Sequence, residues 1–450
     1  MTLRIHRLCR VALIPLLWLA ATAPAARAAV LDPAAVSVHT LPNGLRVVIK
    51  EAPAINLVAL NVWVRAGSAD ETEANNGVSH FLEHLMFKGS KTRGPGEFDR
   101  EIEGLGGVHQ AVTMEDATQY LVVVAKQYAE QALAALGDVL CNPTFPEAAV
   151  REEQRIILAE LARAAENPEQ VLADWLGRLS FQKHSYRLPT AGTPESVRRI
   201  TRAMVAEFYE KHYTADNMSL VVVGAVKPAE ILPQIEAAFG GLRPGPAPKR
   251  AAAPEPAPAK VQHTTLQGPV QRGFLMVGFR SPGMADKDDV CAMDVLLYVL
   301  GERRAQSGRL NRELREKRNL VSAVWSDYVT LRDPGLVSFY AETDPDKLEQ
   351  ARDALLAQIA RVRETLVPDD EIQRAKQLLL GVYTLDNETY DGQAGTLGFY
   401  EAKDTYQFAL EYVDRIAKVT AADVQRVARK YLAANAYSLV MMQPKAKGDA

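Results

Sequence analysis

Cysteine is almost missing from this chain: there are three in 450 residues, Cys9, Cys141 and Cys291. So few, so far apart, exclude a disulfide-stapled scaffold, and Cys141 and Cys291, in different halves, are expected as free buried thiols. Histidine is scarce too, 8 in all, which makes any close pair informative. Excess positive charge is absent. Lys and Arg number 52 against 55 Asp and Glu, a formal net charge of −3, and this removes the basic footprint that nucleic-acid binding requires. Beyond the N-terminal region no apolar run reaches the roughly 18 residues of a membrane-spanning helix. The mature chain is therefore expected to carry no membrane anchor.

What is present begins with an export signal. Arg4, Arg7 and Arg10 precede the apolar run 11–21, and Ala26-Arg27-Ala28 supplies a small-residue cleavage pattern, the layout of a secretory signal peptide. Cleavage is expected after Ala28. It removes those three arginines and Arg27 with no acid, taking the net charge from −3 to −7. Cys9 lies ahead of the apolar run, the wrong place for a lipid anchor, and leaves with the signal. An exported chain without cysteine enrichment points to a periplasm.

The most informative stretch runs from Asn76 to Gly89. Asn76 reads as a helix N-cap and Gly89 as the residue just past its end. At about 100° per residue, His80, Glu83, His84 and Phe87 share one face, opposite Val78, Phe81, Leu82, Leu85 and Met86. Histidines one turn apart can both reach a single metal ion, and a glutamate beside the second can take a proton from water activated there. This H-x-x-E-H order is among the zinc-peptidase motifs. A catalytic zinc needs three protein ligands, and the helix around residues 151–161 offers Glu153 and Glu160. Seven positions apart, they share a face with Ile156 and Ile157, where an unpaired carboxylate would be costly without a cation.

Elsewhere, strand signals cover 39–41 and 45–49 around an Asn43-Gly44 turn, then 57–64, 109–113, 118–124 and 218–223. Helical patterns cover 129–140 and 146–166. Residues 244–260 form a Pro/Ala linker of extended character. Beyond it the chain repeats itself: 430–440 echoes 211–221, and 274–280 precedes a helix as 60–65 does. The expected organisation is a signal peptide at 1–28, a metal-bearing domain at 29–243, the linker at 244–260, and a second homologous domain at 261–450 without the metal motif. Each domain is expected to be α+β, a mainly antiparallel sheet flanked by helices.

These stretches resemble the pitrilysin/insulinase family of zinc peptidases, which includes the mitochondrial processing peptidase. The family joins H-x-x-E-H to a distal Glu about 76 residues beyond the second His, and that spacing from His84 reaches Glu160. The resemblance implies one zinc ion per chain held by His80, His84 and Glu160, with Glu83 as general base and Glu153 in support. It also implies that each chain forms half of a clam-shell chamber. Residues 106–113 are similar to the family's edge strand, which pairs with an extended peptide; Gln110-Ala111 stands where the family usually has Asn-Ala. His109 beside them reads as a strand-surface residue.

Residues 307–322 are similar to a stretch in which an Arg and a Tyr seven positions later hold the substrate carbonyl. Arg315 matches the Arg, but Ser322 replaces the Tyr. Tyr328 would lie about 20 Å further along a strand, and the glycine-rich lead-in is reduced to Gly301 and Gly308. The expected activity is a periplasmic zinc endopeptidase acting on extended peptides or small unfolded proteins. The missing Tyr suggests a homologous partner subunit supplying the Arg and Tyr, or else a homodimer. A non-catalytic core subunit or a peptide-binding chamber of the same fold are the alternative readings.

Overall fold

The computed structural model describes residues 31–248, 250 and 255–445. The signal-peptide assignment, with its cleavage site and Cys9, lies outside them. Six strands, β1 (Val36–Thr40), β2 (Arg46–Glu51), β3 (Leu57–Val64), β4 (Val108–Thr113), β5 (Thr118–Ala125) and β6 (Met218–Gly224), form a sheet in the order β1-β2-β6-β3-β5-β4. Only the β2–β6 pair is parallel. The turn between β1 and β2 is the Asn-Gly turn expected there. Gly44 takes φ +97°, and a Cβ at that position would fall 1.8 Å from the Asp216 carboxylate, so no other residue fits.

Five strands, β7 (Gln262–Gly268), β8 (Gly273–Arg280), β9 (Val321–Tyr328), β10 (Leu336–Thr343) and β11 (Ser438–Pro444), form a second sheet in the order β7-β11-β8-β10-β9. With β1 set aside the two orders coincide, and β7–β11 is again the parallel pair. The internal repeat is thus a repeat of topology: two α+β domains of one plan.

The domains interlock by exchanging a helix. Pro168–Ser180, which follows the long helix Glu147–Ala164 of the first domain, lays Leu172 and Leu176 on Phe274, Met276, Val440 and Met442 of the second sheet. Tyr390–Lys403, which follows the corresponding helix Asp369–Asp386, lies on β3 and β6 of the first sheet. Glycine permits both approaches. A Cβ on Gly278 would come 2.7 Å from Leu176, and one on Gly398 would come 2.0 Å from the Trp63 indole nitrogen. Polar contacts pin the second helix. The Tyr390 hydroxyl donates to the Ala52 carbonyl at 2.6 Å, and the buried Glu401 carboxylate pairs with Arg46 at 2.6 Å and Arg65 at 3.2 Å.

The Pro/Ala segment is more than the spacer its composition implies. Arg250 is buried in a bidentate pair with Asp70 (2.9 and 2.7 Å) and reaches Asp116 at 2.5 Å. Glu255 accepts the backbone N–H groups of Gln182, Lys183 and His184, each at 2.7 Å, and pairs with Arg280 at 3.0 Å. Buried charge must be paired, and these two residues tether the segment near its middle. Cys291 is a free buried thiol as expected, whereas Cys141 is only half-buried. No helix among the described residues is long and apolar enough to cross a membrane.

Candidate metal centre

The helix carrying the paired histidines spans Val78–Met86. Its N-terminus is not capped by Asn76, as the sequence suggested. Gly77 holds the cap position at φ +92°, and the acceptor comes from Glu71. That buried carboxylate takes the N–H groups of Gly77 (2.7 Å) and Ser79 (2.8 Å), the Ser79 hydroxyl (2.5 Å) and the Asn76 amide (2.9 Å). Asn76 also donates to the Pro189 carbonyl, so it is committed to the loop and cannot turn back on the helix. These hydrogen bonds satisfy the orphan donors of the first turn, while burial pushes the Glu71 carboxyl up to about 7. At the other end Phe87 is the cap, and Gly89 lies beyond it.

Val78, Phe81, Leu82, Leu85 and Met86 are buried, and the opposite face presents His80, Glu83 and His84. The two imidazoles stand edge to face with centroids 4.7 Å apart. Glu147–Ala164 packs across them and brings Glu160 within 3.6 Å of His84 Nε2. One ligand atom from each of His80, His84 and Glu160 can be chosen so that all lie within 4.8 Å of one another. Ligands on a tetrahedral zinc with bonds of about 2.0–2.1 Å stand about 3.3 Å apart, so small side-chain movements close the set. The chemistry of the donors fits as well. Burial, helped by the His84 charge, pushes the His80 imidazole down to about 4, leaving it neutral, and its Nδ1 is buried without a partner.

Glu153 stands behind His84. Its carboxylate, 2% exposed, meets His84 Nδ1 at 2.9 Å and Lys88 at 3.2 Å. Burial alone would raise Glu153, but the hydrogen bonds from His84 and Lys88 hold it below the usual carboxylate range. An ionised acceptor on Nδ1 fixes the His84 tautomer and leaves Nε2 toward Glu160. Of the two isoleucines expected on this face, Ile157 is buried but Ile156 is 38% exposed, because it has turned past the seam where the helices meet.

Glu83 accepts a hydrogen bond from the Thr113 hydroxyl at 2.7 Å. Burial raises the Glu83 carboxyl, and that bond together with the His84 charge holds the rise in check. Thr113 ends β4, which occupies the rim of its sheet and pairs only with β5 among the described residues. Gln110 and Ala111 lie on this strand, Gln110 exposed and Ala111 partly so. His109 is a surface residue of the strand, 3.3 Å from Asp99 and packed on Phe87 and Phe98. A cleft of about 530 Å³ opens beside His80 and Thr113, with Glu115, Leu161, Asp174 and Tyr186 among its walls.

Arg315 and Ser322 are in the second domain, and none of their contacts involves this group. Arg315 is exposed and reaches Gln306 at 3.4 Å; the Ser322 hydroxyl donates to the Glu342 carbonyl at 3.2 Å. Tyr328 sits at the far end of β9 from Ser322, with its hydroxyl committed to the Pro282 carbonyl at 3.0 Å. Sequence reasoning missed Glu71, Lys88 and Thr113. Lys88, one turn beyond His84, was the one with a local signal.

Two family profiles match the chain, "Insulinase (Peptidase family M16)" over residues 46–194 and "Peptidase M16 inactive domain" over 199–379. A protein of Streptomyces coelicolor named as an uncharacterized zinc protease is 31% identical, the match covering 87% of this chain and 86% of that one. One from Rickettsia bellii is 29% identical over 90% of this chain and 97% of its own. A probable mitochondrial-processing peptidase subunit beta of Arabidopsis thaliana is 28% identical over 88% and 76%. Among solved structures, a protease from Helicobacter pylori shares the fold with a TM-score of 0.85 at 23% identity, covering 91% of this chain and 99% of that one.

Proposed function

Because the chain belongs to the insulinase family, peptidase family M16, we propose that it is a zinc-dependent endopeptidase hydrolysing extended peptides or small unfolded proteins. The observation that carries this reading is the convergence of His80, His84 and Glu160 beside Glu83. In it, these three side chains hold one zinc ion, which when bound supplies Lewis acidity toward a peptide carbonyl and toward water.

The chain's own residues do the rest. Thr113 holds one oxygen of Glu83 and leaves the other to take a proton from the attacking water and pass it to the leaving amine. Glu153 keeps the His84 ring oriented through Nδ1. The open side of β4 adds the substrate as a further strand, Gln110 and Ala111 included. Backbone pairing of this kind accepts extended chain and rejects folded protein.

The export signal read in the sequence supports a periplasmic location, and Ser322 in place of the family Tyr motivates a clam-shell dimer. In that assembly a homologous subunit completes the carbonyl-holding pair with its own Arg and Tyr, while Arg315 serves that role in a homodimer. A non-catalytic core subunit would have no use for a carboxylate poised as Glu83 is. The test is metal analysis of the purified chain coupled to cleavage of a quenched fluorescent peptide, alone and with a homologous partner chain. One zinc per chain with chelator-sensitive cleavage is expected in at least one arm, and absence of both zinc and cleavage in both arms refutes the reading.

A further inference from the structure

The second domain keeps a counterpart of the metal cleft. Aligned on their first residues, the 18-residue helices Glu147–Ala164 and Asp369–Asp386 place Glu160 over Val382, Leu161 over Tyr383 and Ala164 over Asp386. Helix Lys287–Leu300 follows β8 as the histidine helix follows β3, and β9 ends at Tyr328 as β4 ends at Thr113. These same elements enclose a cavity of about 130 Å³ in the second domain, walled by Asp294, Tyr298, Tyr328, Val382, Tyr383 and Asp386 among others. Leu161, Ala164 and Thr113 line the first cleft, and their counterparts Tyr383, Asp386 and Tyr328 line this one. The cleft has been retained while its metal ligands have been replaced.

Carboxylates and aromatic rings stand in their place. Asp294 accepts a hydrogen bond from Tyr412 at 2.7 Å through one oxygen only, and burial pushes its carboxyl up to about 7 for want of a counter-charge. Glu302 and Asp386 share a single cation, Arg304, whose guanidinium is 2.9 Å from both Asp386 oxygens and 3.9 Å from Glu302. Glu302 and Asp386 against one arginine leave the cavity net negative even with Asp294 protonated, and ionisation of Asp294 adds to it. Tyr298 is 8% exposed and lines the cavity, its phenol close enough to Glu302, Asp294 and Asp386 for their charges to act on it. Arg304 and Asp386, about half exposed, form the mouth.

We propose that this cavity is a binding site for a primary alkylammonium group. The ammonium pairs with Asp294, donates to the Tyr298 hydroxyl and lies against the tyrosine rings, which suit a cation on an apolar stem. A metal is disfavoured. Among the described residues the only side chains whose ligand atoms gather closely enough are His80, His84 and Glu160. A second guanidinium is also disfavoured, since one nitrogen of Arg304 already takes both Asp386 oxygens. The site does not depend on the peptidase reading.

Calorimetric titration of the full chain with n-butylammonium chloride tests this, with n-butanol as the neutral control and Nα-acetyl-lysine amide as a second arm. One butylammonium per chain with Kd of about 1 mM or tighter is expected, and no binding of butanol. Asp294→Asn should weaken binding at least about tenfold and Tyr298→Phe a few-fold, the latter guarding against a misfolded first variant. Lysine amide binding as tightly as butylammonium identifies a peptide lysine as the source of the ammonium, whereas its exclusion identifies a free amine. Wild-type affinity in both variants, equal binding of butanol, or no saturable heat from butylammonium overturns the proposal.

Discussion

Replacing Arg250 by Met should be among the most costly single changes outside the metal centre. The guanidinium is 8% exposed and is shared by Asp70, 8% exposed, and Asp116, 1% exposed. Methionine fills much of the space but strands two buried carboxylates. Asp116 keeps the Arg332 N–H at 2.7 Å and the Tyr186 hydroxyl at 2.8 Å, and Asp70 keeps the Gly67 N–H at 3.2 Å. The loss is therefore nearer that of one broken buried pair than of two, about 3–5 kcal/mol. Arg250→Lys should fall between, because a single ammonium cannot span both acids as the fork does. At a urea slope of about 3 kcal/mol/M, the Met variant's midpoint falls by about 1–1.7 M.

pH supplies an independent check on the same pair. In the native chain burial would raise Asp116, but Arg250 and its other partners hold it below the ordinary range. Its contribution is then present above the unfolded pKa and is lost only as pH falls through the lower folded value. Without Arg250 the stranded Asp116 titrates upward, the folded state binds the extra proton, and the variant gains relative stability on acidification. The gap between variant and wild type should narrow from pH 8 to pH 5. A Met variant whose urea midpoint stays within about 0.2 M of wild type refutes the reasoning.

Glu83→Gln should retain zinc and fold while cleavage falls by about 10²–10⁴; metal content and turnover measured on one preparation decide it, and unchanged turnover removes the assigned base. Glu153→Gln should weaken zinc binding by about 10–100-fold, read by competition with a chelator, and unchanged affinity would mean that His84 is oriented by something else. Burial lowers Lys403 from 10.5 to about 8, and its ammonium lies over the Phe399 ring with no hydrogen-bond partner among the described residues. Both states are protonated below pH 8, and between about 8 and 10.5 the unfolded chain holds the extra proton. Stability should therefore rise across that window by up to about 3 kcal/mol, and Lys403→Met should abolish the rise in chemical denaturation at stepped pH.

Local signals in the chain carried much of this structure. β3 and the histidine helix were legible because periodicity within one element determines them, and Glu160 because the family spacing pointed to it. Glu71 and Thr113 were not. Each acts across a loop or a sheet, and nothing within a few residues of it hints at a partner. Asn76 misled because a residue typical of helix starts is used here to hold Glu71 and a distant carbonyl. Arg250 and Glu255 were hidden by proline and alanine. Composition suggested an extended segment and said nothing of the two charges that fasten it.

The exchanged helices make each unit depend on the other. Either unit on its own would present a bare sheet, with Trp63 uncovered on one and Phe274, Val440 and Met442 on the other, and its own outlying helix docked on nothing. Neither half should therefore be a stable body when expressed alone, and mixing the two halves in solution should restore structure that each lacks by itself.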